Sequence, residues 1–241
     1  MQEMSKPGTF VLVPGAWMGG WSWYPVARLL RERGYAVVTL TLPGLSYGSS
    51  PVGLRMADAI EFIVKEVEGR DLRDVVLVSH SWGGYPATGA AHRLVNRISK
   101  VIYYNAVVPA RGKSMSDENE QYAQITQELI AASPEGTVTL PLEAVRLGLM
   151  QNESPELQEL VFHLAVPQPG RYMIDALDVP EVTKIGLPVA YVLGEDDISL
   201  ARPGAEFAAR IGVDPVLVPG SHMAMLSQPT SVAAAFAQLL E

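Results

Sequence analysis

Hydrophobic and polar positions follow two rhythms along this chain, and the two take turns. Runs of apolar or β-branched residues at 10–13 and 36–42 read as strands, the first closed by Pro14-Gly15. Between them, residues 25–33 set Val26, Leu29 and Leu30 on one helical face and Arg28, Arg31, Glu32 and Arg33 on the other, with Gly34 as the stop. A loop rich in Gly, Ser and Pro over 43–53 precedes a helix at 56–67, whose inward set is Ala59, Ile60, Ile63 and Val67. A strand at 75–79, a helix at 85–97 and a strand at 100–105 complete this half. Strands alternating with helices of about ten residues imply βαβ units and a parallel sheet covered on both faces. Right-handed crossovers then gather the loops after the strands on one edge, where ligands bind.

The alternation stops between Ala106 and about Lys184, where helical pieces at 118–132, 142–150 and 155–165 are separated by Pro and Gly. It resumes with a strand at 188–193, a helix at 203–211, a strand at 215–218 and a last helix at 230–240. The expected architecture is one α/β domain over 1–241, with a mostly parallel sheet of about six strands and helices on both faces. Its core is read as 8–105 and 186–241, with a mainly helical cap inserted at about 106–185 over the strand ends.

Composition narrows the partners. A chain of 241 residues, 48% hydrophobic and 18% charged, is that of a globular protein with a sizeable core. A net charge of −8 with no local Lys/Arg cluster argues against binding nucleic acid, which needs a basic face. Without cysteine there are no disulfides, thiolate nucleophiles or Cys-based metal sites. The opening M-Q-E-M-S-K-P-G-T-F lacks the apolar core of a signal peptide, and no apolar run approaches the ~18 residues of a membrane span. No membrane partner and a cytoplasmic location are expected.

The chemistry centres on V-V-L-V-S-H-S-W-G-G-Y at 75–85, a strand, a tight turn and a helix start. This is how G-x-S-x-G enzymes mount a nucleophilic serine, here Ser81, although Ser79 stands where the pattern has its first Gly. A serine hydroxyl needs a base, and the base an acid that fixes its tautomer, in the order Ser, Asp/Glu, His along the chain. His222, in V-P-G-S-H-M-A-M-L between the last strand and last helix, is the expected base. His80 reads as structural, His92 as helix-face filler, and His163 as a substrate contact from the cap. Glu195, Asp196 and Asp197 follow Gly194, and Asp197, the fourth residue of G-x-x-D, is chosen as the acid over Asp196. The expected oxyanion donors are the backbone N–H groups of Trp82 and of Ala16, the latter in a Gly-rich loop that can approach substrate closely. Met115, Tyr122, Leu142, Met150, Phe162 and Tyr172, with Trp17, could line an apolar pocket. Of these Trp17, Tyr122, Met150 and Phe162, with His163, are the substrate-binding candidates.

With these residues assembled, the chain resembles the α/β-hydrolase superfamily, and within it the branch of plant methyl-ester esterases (methyl salicylate and methyl jasmonate type) and hydroxynitrile lyases. F-V-L-V-P-G-A-W-M-G-G-W-S-W-Y is similar to the oxyanion segment of that branch, with Pro14 where its members have His. S-H-S-W-G-G matches the nucleophile turn, V-I-Y-Y-N-A-V-V-P the strand entering the cap, and G-S-H-M-A-M-L the catalytic-His loop. The lyases place Thr in the oxyanion segment and Lys after the catalytic His, where this chain has Gly15 and Met223. The resemblance therefore implies an ester hydrolase without metal or organic cofactor, acting on a small-molecule ester or lactone. Lactone, thioester or C–C bond cleavage on the same residues stays open, as do a ligand-binding protein on a hydrolase scaffold and a homodimer.

Overall fold

The structure, a computed structural model, describes residues 8–241. Residues 1–7, most of the segment read above for a targeting signal, lie outside the described residues. The first half holds strands Thr9–Val13 (β1), Ala36–Thr39 (β2), Val75–Ser81 (β3) and Ile98–Ala106 (β4), separated by helices Tyr24–Glu32 (α1), Met56–Gly69 (α2) and Gly84–Arg93 (α3). Next come helix Glu120–Ala132 (α4), strand Thr137–Val138 (β5), and helix Leu142–Ala144 (α5) running into a π-helical turn at Val145–Leu149. Helix Pro155–Leu164 (α6), strand Gln168–Pro169 (β6) and helix Gly170–Ile174 (α7) follow. The chain ends with strand Val189–Gly194 (β7), helix Gly204–Arg210 (α8), strand Val216–Val218 (β8) and helices Ala224–Ser227 (α9) and Pro229–Gln238 (α10).

Six strands form one sheet in the order β2-β1-β3-β4-β7-β8, and every pairing is parallel. The reason lies in the period-two geometry of a strand buried on both sides. Val11 and Val13 of β1, Val75 and Leu77 of β3, and Val101 and Tyr103 of β4 pack beneath α2, α3 and α8, against Ile63, Ala87, Ala90 and Phe207. Their neighbours Phe10, Leu12, Val76, Val78, Ile102 and Tyr104 face the other way, against Val26 and Leu30 of α1 and Val232 and Phe236 of α10. Each fully buried side chain of this size is worth roughly 1.5–3 kcal/mol of transfer free energy. All seven residues of the central β3 are buried, so its end is a firmly packed point of the ligand edge.

Some boundaries differ from the pattern reading. β2 stops at Thr39 instead of residue 42, and β3 runs on to include Ser81. α3 ends at Arg93, not at residue 97, and Leu94–Arg97 form a turn into β4 in which Arg97 N–H bonds the Leu94 carbonyl (2.8 Å). The β-branched Val95 and turn-forming Asn96 favour that exit. Between β4 and β7, the two-residue strands β5 and β6 pair antiparallel, too short to leave a period in the sequence. Among the described residues no helix is long and apolar enough to cross a membrane.

Candidate active site

β3 ends on Ser81, whose φ of 53° lies in the left-handed region that side-chain-bearing residues seldom enter. The chain then turns at once into α3, with Gly83 N–H on the His80 carbonyl (2.8 Å) and Tyr85 N–H on that of Trp82 (2.9 Å). The glycines here are a steric requirement: a Cβ on Gly83 would collide with the Pro14 carbonyl oxygen, and one on Gly84 with that of Val107. Only at this pair can the start of α3 press onto the ends of β1 and β4 and hold Ser81 above the sheet. Ser79, in place of the motif's first Gly, is wholly buried, and its hydroxyl has no hydrogen-bond partner among the described residues.

The loop after β8 brings His222 to the same edge. Its Nδ1 lies 2.9 Å from Asp197 Oδ2, and the two side chains are 2% and 0% exposed. The other carboxylate oxygen, Oδ1, accepts the Ser199 N–H at 2.9 Å, which fixes the carboxylate's orientation. Asp196 and Glu195 are exposed, and Asp196 turns its carboxylate to Asn152 (3.2 Å), so Asp197 is the acid of the triplet that meets His222. Burial, and after it the nearby Asp197 charge, push the hydroxyls of Tyr104 and Tyr191 far above the usual tyrosine range. With Nδ1 engaged, Nε2 is the imidazole nitrogen left for another partner.

His80 does more than fill the turn. Its ring lies 4.6 Å from that of His222, centroid to centroid, and its Nε2 stands 3.0 Å from the His222 carbonyl oxygen. Burial above all, and then the proximity of His222, hold His80 well below the ordinary histidine range. It is therefore neutral, with Nε2–H donating to that carbonyl. His92 ties α3 to the Pro180 carbonyl (2.9 Å), and His163 is exposed on α6, its ring edge on Phe162.

The loop after β1 lies flat on the turn. A Cβ on Gly15 would stand 2.7 Å from His80 Nδ1 and 2.9 Å from Ser81 Cβ, so no side chain fits there. Trp17 follows with a φ of 64° and is fastened on three sides. Its N–H reaches Gln168 Oε1 (2.9 Å), its indole N–H the Val138 carbonyl (2.9 Å), and its own carbonyl accepts from Val166 N–H (3.0 Å). Neither the Ala16 N–H nor the Trp82 N–H has a hydrogen-bond partner among the described residues.

A cavity of about 500 Å³ opens over Ser81. Trp17 and Tyr122 line it as read from the sequence, and so does Met115. Leu140, Ala144, Leu147 and Leu149 add to it from the segment between β4 and β7, and Ile198, Ser199 and Ala201 from the loop after Asp197. Among the described residues, Glu143 is the one charged residue of the lining. Three expected contacts lie elsewhere. Met150 is fully buried in the core with Val145 and Val161, Phe162 lines a separate cleft with Leu142 and Val166, and His163 faces outward. Tyr172 also leaves the cavity, stacking on the Trp82 indole at 4.9 Å while Trp82 Nε1–H bonds the Tyr172 carbonyl (2.7 Å). Hydrophobicity marked Leu142, Met150, Phe162 and Tyr172 as inward, but inward in a segment of short helices has more than one direction, and Leu142 lines the cleft of Phe162 instead. Asn105 and Gln168, which bond the site's loops, went unread because their partners lie far away in sequence.

This geometry can be set beside known proteins. The model of the alpha/beta hydrolase family matches residues 10–235, nearly the whole chain. The chain belongs to the alpha/beta hydrolase family. Among relatives of this alpha/beta hydrolase, a carbendazim hydrolyzing esterase of Nocardioides sp. (strain SG-4G) is 38% identical over 108 residues, a match spanning 44% of this chain and 45% of that protein. Polyneuridine aldehyde esterase of Rauvolfia serpentina is 26% identical over 92% of both chains, and methyl jasmonate esterase 1 of Vitis vinifera 24% over 96% of both. In fold, the chain is similar to an extracellular alpha/beta-hydrolase from a Paenibacillus species. The TM-score there is 0.89 with 24% identity, covering 96% of this chain and 98% of that one.

Proposed function

We propose that this alpha/beta hydrolase cleaves uncharged carboxylic esters of small to medium size through an acyl-enzyme formed on Ser81. The reading is carried by one arrangement: Ser81, held in a left-handed turn, lines an apolar cavity, and the ring of its neighbour His80 lies 4.6 Å from that of His222, whose Nδ1 meets the buried Asp197. Its esterase relatives supply the substrate class.

In this reading His222 Nε2 takes the Ser81 proton as the hydroxyl attacks the ester carbonyl, while Asp197 holds the tautomer and stabilises the imidazolium. The N–H groups of Ala16 and Trp82 receive the oxyanion, each such donor being worth about 3–4 kcal/mol of barrier. His222 then gives the proton to the departing alcohol, and water repeats the sequence on the acyl-enzyme. The segment at about 106–185 acts as a cap, supplying Met115, Tyr122, Leu140 and Leu149 to the cavity wall. An apolar wall that carries the negative charge of Glu143 favours a neutral acyl group over a carboxylate-bearing one.

Covalent labelling with a fluorophosphonate, followed by mapping of the modified peptide, tests this. Modification at Ser81, lost in His222→Ala, is expected; a protein that stays unlabelled, or labels at another serine, overturns it.

A further inference from the structure

β4 carries one more residue than its neighbour at the ligand edge. Its register with β3 pairs His80 with Tyr104 and Ser81 with Ala106, which leaves Asn105 opposite nothing. Asn105 is thus the extra residue of a β-bulge, and its φ of 42° is left-handed, a conformation asparagine tolerates better than most residues. The bulge turns its side chain out of the strand's alternation and toward the far side of the site.

There the wholly buried amide uses both of its ends. Oδ1 accepts the Gly194 N–H at 2.7 Å, and Nδ2 donates to the carbonyls of Ser221 (3.3 Å) and His222 (3.1 Å). Gly194 closes β7 three residues before Asp197. A Cβ on Gly194 would stand 3.2 Å from Asn105 Nδ2 and 2.6 Å from the Gly220 carbonyl oxygen, so the three segments meet too closely for any side chain there. The His222 carbonyl, which also takes the His80 Nε2–H, is held from two sides.

We propose that Asn105 is a positioning residue: its amide clasps the base loop to the end of the acid's strand, so that His222 and Asp197 move as one body relative to Ser81. The inference rests on the hydrolase reading given above. Asn105 is absent from the cavity lining, so it acts on the chemical step and not on substrate binding. A reacting pair displaced by about 1 Å can lose roughly a hundredfold in rate, which sets the size of effect to expect.

Asn105→Gly deletes the amide while suiting the left-handed backbone, and Asn105→Asp keeps the shape but exchanges the donor for an oxygen facing two carbonyls. Both variants are measured for melting, fluorophosphonate labelling rate, kcat and KM on an activated ester, and the far-downfield imidazole N–H proton resonance of the His222–Asp197 hydrogen bond. The clasp predicts kcat and labelling rate lower by about 10- to 100-fold, KM within about twofold, and a resonance broadened by exchange. Should the glycine variant not fold, the isosteric aspartate gives the same readings. Wild-type kcat, a loss confined to KM, or an unchanged resonance overturns the clasp. An unlabelled wild-type protein counts against the hydrolase reading instead, and the resonance still decides the clasp.

Discussion

At the scale of the residue, three adjacent acids after Gly194 present the same chemistry to a sequence reader and different chemistry to His222. Asp197 alone is withdrawn from solvent, with one oxygen on Ser199 N–H and the other on the imidazole. Replacing it by Asn preserves the shape, but with the amide oxygen kept on Ser199 N–H the amide NH2 faces Nδ1, which favours the wrong tautomer. Asp197→Asn is therefore expected to lower kcat by about 10³- to 10⁴-fold, and Asp196→Asn to leave it within about twofold. Kinetics on an activated ester decide the matter, and the reverse order would move the acid to Asp196. Ser79 is a different case. Its buried hydroxyl has no partner among the described residues, and nothing in its surroundings explains why Ser stands there. Ser81 and His222 were legible because the motif and the chain order name them. His80 was legible as structural but not as a donor, since its acceptor lies 142 residues away.

Elements separate what a sequence exposes from what it conceals. The six sheet strands could be read because the inner four are covered on both faces and the edge strands β2 and β8 are also apolar, which leaves short continuous apolar runs between amphipathic helices. The bulge at Asn105 could not, because it exists only relative to the register of β3. The segment between β4 and β7 was readable as an interruption and little more: β5 and β6 are two residues each, and the helices there were assigned faces that the cavity does not share. Yet β6 does something specific. Gln168, fully buried, accepts the Trp17 N–H, one residue beyond the proposed oxyanion donor Ala16. Gln168→Leu would leave that N–H unpaired at a cost of about 1–3 kcal/mol and free the loop to shift. A fall in kcat of about tenfold, with little change in KM, is expected because the loop's N–H groups matter most when charge develops. Steady-state kinetics beside a melting curve check it; an unaltered kcat in a destabilised protein would reduce Gln168 to a packing role.

Over the whole molecule, acid acts on stability and on activity through different histidines. His80 is enclosed by Trp23, Tyr104 and His222, at ring-centroid distances of 6.1, 5.6 and 4.6 Å, and burial keeps it neutral. In the unfolded chain it titrates near 6.5, so below that pH the unfolded state binds a proton that the native state refuses. Stability from this site is complete above about pH 7 and is lost progressively as pH falls below the unfolded value. Glu61, Asp71, Asp117 and Glu156, all held below their usual values by hydrogen bonds to arginine, serine or backbone groups, act in the same direction but only at lower pH, as it falls through the carboxylate range. They leave the interval from 7 to 5 to histidine. The melting temperature should therefore drop across that interval, and His80→Gln, which keeps an N–H donor without a titrating ring, should flatten the drop. Loss of activity in acid has another cause, since a protonated His222 cannot take the Ser81 proton. That decline belongs to a different residue, so His80→Gln should retain it. Melting curves and pH–rate profiles on the two proteins separate the effects, and an unflattened melting profile in the variant would place the acid sensitivity outside the core that supports the site.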